Sequence, residues 1–242
     1  VEKLRGLTLN VEIQKAKKEQ ELLQSGKPIF TYIFMGLQIL VFLLMEYIGR
    51  GYGGSQNIMI LDIFGAKINS RILAGEWWRF ITPMFLHIGF LHLFMNSLSL
   101  YYLGGEVEKI FGSIRFFFIY LFSGFFGTLL SFLTNTSISA GASGAIFGCF
   151  GALLYFGLTH PRTFQRMAGR SILTLLVVNL IFGFVYPGID NAGHIGGLIG
   201  GFLASSIAQL PKQNNWKVQV PFLLFTIALT LFALYLGFNV IY

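Results

Sequence analysis

Long runs of apolar residues alternate with short polar stretches along most of this chain. Seven runs predict seven helices, at 30–48, 86–103, 116–133, 143–158, 171–186, 194–210 and 218–242. A hydrocarbon core of roughly 30 Å takes about 20 helical residues to cross. The first, second, third and seventh runs have that length, whereas the fourth, fifth and sixth are short. We therefore expect the short runs to be surrounded by the others, with the uncharged loop 134–142 lining a wet cavity.

The first 29 residues form a polar tail before these runs. Residues 11–23 have the spacing of a short amphipathic helix, and a linker follows at 24–28. A cleavable signal peptide does not fit, because the first long apolar run starts too late and is too long. Since the chain begins with Val1 rather than Met, we expect a preceding N-terminal part on the same side as the tail. The predicted organisation is a cytoplasmic tail at 1–29, a six-helix core at 30–210, and a loop with one additional transmembrane helix at 211–242.

Composition places the chain among membrane proteins. Hydrophobic residues make up 55% of the 242 positions and charged residues only 11%, whereas about a quarter of an ordinary soluble domain is charged. The expected fold class is thus an all-α polytopic membrane protein. The single cysteine, Cys149, excludes an intrachain disulfide and a cysteine-rich metal site. The net charge of +7 does not indicate nucleic acid, because the basic residues flank apolar runs instead of forming one patch with exposed aromatic residues.

The basic residues also predict the orientation of the chain in the cell membrane. With a cytoplasmic N-terminus, thirteen of the 17 Lys and Arg residues lie on the inner side and four on the outer side. Inner loops of membrane proteins carry this excess, so we expect the N-terminus inside and the C-terminus outside. The second, fourth and sixth runs then all enter from the outer face. That order places His92, Ser143 and His194 at one level, close to the outer leaflet.

Ser143 stands where the uncharged loop meets the fourth run, in the sequence Gly141-Ala142-Ser143-Gly144. A serine at a helix start is most often an N-cap, and the serine alone leaves that interpretation open. A second stretch, Gly193-His194-Ile195-Gly196-Gly197, places a histidine at a similar point of the sixth run. An intramembrane histidine is costly and indicates function. Glycines on both runs allow the helices to approach closely, so we predict that His194 is the base for a nucleophilic Ser143.

His92 and Asn96 are four residues apart in the second run, so both side chains are expected on one helix face near its outer end. They either hydrogen-bond a neighbouring helix or donate to the negative oxygen that forms when a serine attacks a carbonyl. A metal site is disfavoured, because His87 and His92 are five residues apart, about 140° on a helix. His160 falls at the opposite membrane face. We expect neither a metal nor a cofactor.

These motifs resemble those of the rhomboid intramembrane serine proteases. The resemblance covers about residues 30–210 and keeps the order of the elements. It rests on the serine and histidine stretches, on Trp78-Arg79, on His87, His92 and Asn96, and on Gly104-x-x-x-Glu108-x-x-x-Gly112. The seventh run resembles the additional helix of a six-plus-one member, of the kind found in Gram-positive bacteria.

The resemblance implies a dyad of Ser143 and His194 without a third acid. It also implies an oxyanion site formed by His92, Asn96 and the backbone N–H of Ser143. Structural roles follow for three further residues, Trp78, Arg79 and Glu108. Four residues are expected to support the site, namely Gly141, Ala142, Phe147 and His87.

Two residues depart from the family pattern. Gly193 stands where the family often has alanine, a change that preserves small size. Phe147 stands where some members have tyrosine; its ring is still expected on the Ser143 face, against the His194 imidazole, but without a hydroxyl. Asp190 precedes His194 by four residues and is interpreted as a solvated turn residue beside Pro187-Gly188 rather than as the third member of a triad.

The expected function is hydrolysis of peptide bonds in or next to transmembrane segments of membrane proteins. Those proteins and the lipid bilayer are the expected partners. Because a helix engages its carbonyl groups in its own hydrogen bonds, the substrate must unwind locally, and the second and fifth runs form the expected entry route. A non-catalytic, substrate-presenting role uses the same groove and stays open as an additional role. A transporter is disfavoured, since the inner halves of the fourth and sixth runs are almost wholly apolar and glycine.

Overall fold

A computed structural model of the chain describes residues 13–14, 27–167, 169–186 and 188–242. Nearly all of the polar tail, including the amphipathic helix expected at 11–23, therefore lies outside the described residues. Within the described ranges the chain is helical apart from its loops and an isolated antiparallel bridge between Lys67 and Ser139. The expectation of an all-α fold is confirmed.

The α-helices of the described ranges are numbered here in chain order. They are α1 (Ile29–Ile48), α2 (Ile58–Phe64), α3 (Asn69–Leu73), α4 (Phe90–Ser99), α5 (Gly105–Phe111), α6 (Ser113–Thr134), α7 (Ser143–Thr159), α8 (Pro161–Arg166), α9 (Gly169–Val185), α10 (Asn191–Ala208) and α11 (Trp216–Leu236). Short 3₁₀ turns occur at Gly54–Gln56, Trp77–Phe80 and Thr82–Phe85, and π-helical turns at Leu100–Gly104 and Gly237–Ile241.

The centre of the molecule is formed by α6, α7 and α10, which pack against one another along most of their length. Large side chains such as Tyr120, Phe132 and Phe156 are fully buried there. The helix α11 lies outside this group, against α10 and α6, and most of its side chains are exposed. The two helices that begin with the serine and histidine motifs, α7 and α10, are thus enclosed by other helices, as expected for short apolar runs. The fifth run departs from that expectation, because most side chains of its helix α9 are exposed.

Three of the described helical stretches are long and apolar enough to cross a membrane, judged by length and composition. They are Ile29–Ile48, Ser113–Thr134 and Trp216–Ile241, and they correspond to the first, third and seventh apolar runs. Shorter apolar helices occur at Ser143–Thr159 and Gly169–Val185. A polytopic helical membrane protein follows from this pattern, while the count of seven spans stays a prediction.

The second apolar run differs from its predicted helix of 86–103. Its helix α4 begins only at Phe90, because Gly89 before it has a φ of +78°. At the other end the helix does not stop at 103 but continues through the π-helical turn into α5. The predicted run ended at Leu103, whereas the helix reaches Phe111 and buries Glu108 completely.

Glu108 accepts hydrogen bonds from the first turn of α1. Its carboxylate oxygens accept from the backbone N–H of Phe30, the backbone N–H of Thr31 and the hydroxyl of Thr31, each at 2.8 Å. The first N–H groups of a helix have no partner within the helix, and the helix dipole favours a negative charge at that end. Glu108 therefore ties the start of α1 to α5, which is a structural contact of the kind the resemblance implies.

Arg79 holds together the loop between α1 and α4. Only 4% of its side chain is exposed, and its guanidinium donates to Glu76 at 2.6 Å, to the carbonyl oxygen of Ala66 at 2.7 Å and to the Asp62 carboxylate at 2.7 Å. The neighbouring Trp78, by contrast, has more than half of its surface exposed. The structure thus places Arg79 in the interior of this loop and Trp78 on its surface.

Candidate active site

Ser143 is the first residue of α7 and does not cap it. The N-cap position is held by Ala142, and no side chain makes a capping hydrogen bond at this helix start. The serine is half-buried. Beside it lies a cavity of about 20 Å³, lined by Ser143, Gly144, Thr128, Asp190 and Gly193 among others, which is room for about one water molecule. The alternative that Ser143 serves as a helix cap is therefore not realised.

His194 lies in the first turn of α10 and is buried. Its ring stacks on that of Phe147 from α7, with centroids 4.1 Å apart and an angle of 10° between the planes. The Nδ1 atom is buried and has no hydrogen-bond partner in the described part of the chain. The orientation of the imidazole thus depends on packing against Phe147, at the position where the helical spacing predicts an aromatic contact.

The starts of α7 and α10 touch through their backbones. A methyl group added at Gly144 would lie 3.2 Å from the carbonyl oxygen of Gly193, and one at Gly197 would overlap the carbonyl oxygen of Gly144. One helical turn further, a methyl at Gly201 would overlap the carbonyl oxygen of Gly148. Residues directly adjacent to Ser143 and His194 are therefore in contact, and the glycines of both helices make this approach possible.

His92 is in α4 and lies against the loop that leads to Ser143. Its Nδ1 accepts a hydrogen bond from the backbone N–H of Ile88 at 3.3 Å, so the proton of a neutral ring is on Nε2. A methyl at Gly141 would lie 2.9 Å from this Nε2 and 3.8 Å from the Ser143 hydroxyl oxygen. The His92 ring and the serine hydroxyl thus flank Gly141, with a ring N–H available for donation near the serine.

Asn96 is buried on the same helix face as His92, as the spacing of four residues predicts. One of its amide protons is donated to the backbone carbonyl of His92 at 2.9 Å. The amide carries a second proton, which that bond leaves available.

His87 precedes α4 and does not share a helix with His92, so the angle of about 140° inferred for the two does not apply. Its ring is fully buried and meets the His92 ring edge-on, with centroids 5.2 Å apart. His87 therefore packs behind the proposed oxyanion donor. Among the described residues, no three histidine, cysteine or acidic side chains come together as they would around a metal ion.

Asp190 is not the solvated turn residue that the sequence predicts. It is half-buried and is the N-cap of α10, where its carboxylate accepts from the backbone N–H of Gly193 at 2.9 Å. It also accepts from the Ser131 hydroxyl at 2.5 Å and from the Asn135 amide at 3.3 Å. The prediction followed the adjacent turn and ignored the free N–H groups of the helix that begins there. Asp190 does not bond the His194 ring, so it positions the helix rather than the imidazole.

Several contacts around the site involve residues that the sequence analysis did not single out. The backbone N–H of Gly89, just before α4, donates to the Ser55 hydroxyl at 3.1 Å, and that hydroxyl donates to Glu46 at 2.5 Å. Lys67 binds the loop before Ser143. No motif signals such contacts, because the bonds of Gly89 and Lys67 join segments that are 34 or more positions apart.

Comparison with known proteins shows which family this chain is similar to. A family model described as the Rhomboid domain matches residues 74–210. Over 238 residues the chain is 48% identical to Rhomboid protease GluP of Bacillus subtilis, an alignment that covers 98% of this chain and 46% of that protein.

Two further relatives show the same similarity over shorter stretches. The Putative rhomboid protease YdcA of Bacillus subtilis is 36% identical over 150 residues, which are 61% of this chain and 75% of that protein. RHOMBOID-like protein 6, mitochondrial, of Arabidopsis thaliana is 41% identical over 161 residues, or 65% of this chain and 52% of that protein. The chain thus spans about half the length of GluP and of the Arabidopsis protein.

Proposed function

Since this chain belongs to the rhomboid family, we propose that it is an intramembrane serine endopeptidase that uses a dyad of Ser143 and His194. The observation that carries the proposal is the backbone contact at the starts of α7 and α10. Gly144 and Gly193, the neighbours of the two residues, lie against each other. An alcohol and an imidazole held at such a contact are suited to nucleophilic catalysis.

In the proposed first step, His194 takes the proton of the Ser143 hydroxyl while its oxygen attacks the carbonyl carbon of the scissile peptide bond. The bond from carbon to nitrogen then breaks, and the proton passes from His194 to the leaving amine. In the second step a water molecule attacks the resulting ester, with His194 again accepting and returning the proton. The small cavity beside Ser143 has room for such a water.

Charge develops on the carbonyl oxygen in both steps and must be stabilised. Three donors are proposed for this, namely the Nε2–H of His92, the second amide proton of Asn96 and the backbone N–H of Ser143. The bond from Ile88 to Nδ1 of His92 supports the first, because it leaves Nε2 as the donor. The position of Ser143 in the first turn of α7 supports the third, since N–H groups there have no partner within the helix. One such donor contributes about 10²–10³ in turnover.

The proposed substrates are membrane proteins that are cut in or next to a transmembrane segment. We place the N-terminus in the cytoplasm and the site near the outer face of the cell membrane, on the asymmetry of basic residues. The proposed organisation keeps a tail at 1–29, a six-helix catalytic core at 30–210 and an additional helix at 211–242. Gly141, Ala142, Phe147 and His87 are proposed to support the site.

The test is cleavage of a model transmembrane substrate, together with labelling by a fluorophosphonate probe that reacts with activated serines. We expect Ser143→Ala to abolish both, and His194→Ala to lower both by at least about a thousandfold. Ser137→Ala, on the exposed loop before the site, is the matched control and should behave as the parent. Cleavage that survives Ser143→Ala would contradict the proposal.

A further inference from the structure

Lys67 lies in the loop between α1 and α4, yet its side chain is fully buried. Its ammonium donates to three oxygen atoms of the loop that leads to Ser143. These are the carbonyl oxygen of Asn135 at 2.7 Å, the side-chain oxygen of Asn135 at 3.1 Å and the carbonyl oxygen of Ser137 at 3.1 Å. An ammonium group has three N–H donors, and here each has an acceptor. All three N–H donors of the side chain thus bind the same loop.

The backbone of Lys67 binds the same loop. Its N–H donates to the carbonyl oxygen of Ser139 at 2.9 Å, and the N–H of Ser139 donates back at 3.2 Å. Two residues later, the N–H of Gly141 donates to the carbonyl oxygen of Pro83 at 2.9 Å. The loop is therefore attached at both ends, and Ser143 follows directly.

A second path leads from Lys67 to the helix that carries His194. The Asn135 side chain, which accepts from Lys67, donates to the Asp190 carboxylate at 3.3 Å. The same carboxylate oxygen accepts from the backbone N–H of Gly193 at 2.9 Å. Lys67 thus connects to the starts of both helices between which the proposed reaction takes place.

We propose that Lys67 is a positioning residue for the proposed peptide hydrolysis, because its bonds to Asn135 and Ser137 fix the loop before Ser143 and, through Asp190, the start of the helix that carries His194. This inference rests on the proposed function. Lys67 acts through the loop 135–142 and not on the reacting atoms. Displacement of a reacting group by about 1 Å can cost about a hundredfold in rate, so a loosened loop is expected to slow acylation strongly.

The charge on Lys67 makes this role dependent on pH. Burial lowers the pKa of Lys67 to about 8, and the carboxylate of Asp190 opposes that shift. The guanidinium of Arg79 donates to the carbonyl oxygen of the adjacent Ala66, and its charge is paired with the carboxylates of Asp62 and Glu76. Loss of the proton leaves two N–H donors for three acceptors. Because the protonated fraction falls as pH rises through about 8, the acylation rate is expected to fall there as well.

The experiment measures fluorophosphonate labelling rates of the detergent-solubilised chain from about pH 6 to about pH 10. We compare the parent with Lys67→Met, which keeps the length of the side chain and removes its donors. Lys109→Met is the matched control, since Lys109 is 40% exposed and pairs with Glu106 on α5. Lys67→Met is expected to label about ten- to a hundredfold more slowly at neutral pH and to lack the decline near pH 8. Labelling at the parent rate, or with the parent's decline, would overturn the inference.

Coupling with Asn135 separates positioning from a general loss of stability. If Lys67 acts through Asn135, the variant that combines Lys67→Met with Asn135→Leu should label more rapidly than two independent losses predict. Fully additive losses would contradict the proposed path.

If Lys67→Met does not accumulate as folded protein, Asp190→Asn is the variant to test in its place. Removing that carboxylate lowers the pKa of Lys67, so the decline should move to lower pH, and a decline that stays in place overturns the inference.

Hydrogen exchange distinguishes failure of this inference from failure of the proposed function. The backbone N–H groups of Ser139 and Gly141 should exchange faster in Lys67→Met than in the parent, whether or not the protein is an enzyme. A parent that does not label refutes the proposed function, and faster exchange then still supports the contact. A parent that labels, together with unchanged exchange in Lys67→Met, refutes the role of Lys67 alone.

Discussion

At the scale of single residues, the orientation of the His194 ring depends on packing rather than on an acidic partner. Nδ1 has no hydrogen-bond partner within the described ranges, and Phe147 stacks on the ring at 4.1 Å. A stacked pair of this kind contributes about 0.5–1.5 kcal/mol beyond its buried area. In the proposed dyad, Phe147 would thus supply part of the orientation that an acid gives in a triad.

The prediction that belongs to this scale concerns Phe147→Leu. Loss of the stacked ring leaves the imidazole free to rotate, so we expect the fluorophosphonate labelling rate to fall roughly two- to tenfold, in line with the energy of the stack. Phe147→Tyr keeps the ring and should retain the parent rate. Equal rates for Phe147→Leu and the parent would show that packing does not orient His194.

At the scale of elements, the approach of α7 to α10 requires glycine at particular positions. Gly197 faces the carbonyl oxygen of Gly144, and Gly201 faces that of Gly148, with no room for a methyl group at either. The obstacle in each case is backbone, which cannot rotate away as a flexible side chain does. The distance between the two helices, and hence between Ser143 and His194, is set by these glycines.

Gly197→Ala tests this arrangement. The added methyl must push the helices apart, so we expect both a lower melting temperature, with a loss of about 1–3 kcal/mol, and a strong loss of labelling. The control is Gly36→Ala on α1, where a methyl meets no other atom within 4 Å. That variant should match the parent in both measurements. If Gly197→Ala had the parent's labelling rate and melting temperature, the contact between α7 and α10 would not depend on glycine at this position.

The start of α1 depends on a side chain from another helix, α5. Its first N–H groups are bonded by Glu108, which is 78 positions from Phe30 and 77 from Thr31. The apolar pattern ends before Glu108 and does not identify the helix start to which it binds. Only the packing of α1 against α5 explains why this carboxylate is buried.

At the scale of the whole molecule, the distribution of basic residues sets the expected orientation in the membrane. Thr136, on the loop before Ser143, and Lys212, before α11, are both exposed, and they are expected on opposite sides. Cys149, the natural cysteine, is fully buried and should contribute little background to thiol labelling.

We predict that a membrane-impermeant maleimide labels Thr136→Cys in intact cells, because the site is proposed to face outward. Lys212→Cys should be labelled only after the membrane is permeabilised. The parent, with Cys149 alone, serves as the control for both. The reverse pattern would place the N-terminus outside and would refute the orientation inferred from the basic residues.

The sequence alone determined the class of the fold and most of its helices. Apolar runs are local signals, so their centres predicted α1, α6, α7, α9, α10 and α11 within a few residues. The serine and histidine stretches and the spacing of His92 and Asn96 are local in the same sense. They were sufficient to single out Ser143 and His92, which the structure places on either side of Gly141, together with Gly144 and Gly193, which it places in contact.

Tertiary structure alone decided which polar groups are buried and what binds them. Asp190 was interpreted as a solvated turn residue, and no pattern identified the partners of Lys67 or Glu108. All three bond segments 50 or more positions away in the sequence. The burial of a polar group is stable only where distant partners satisfy it, and hydrophobic pattern does not encode those partners. The helices could therefore be predicted from the local pattern of the sequence. The contacts that fix the loop before Ser143 and the start of α10 depend on the tertiary fold, because they join segments that are distant in the sequence.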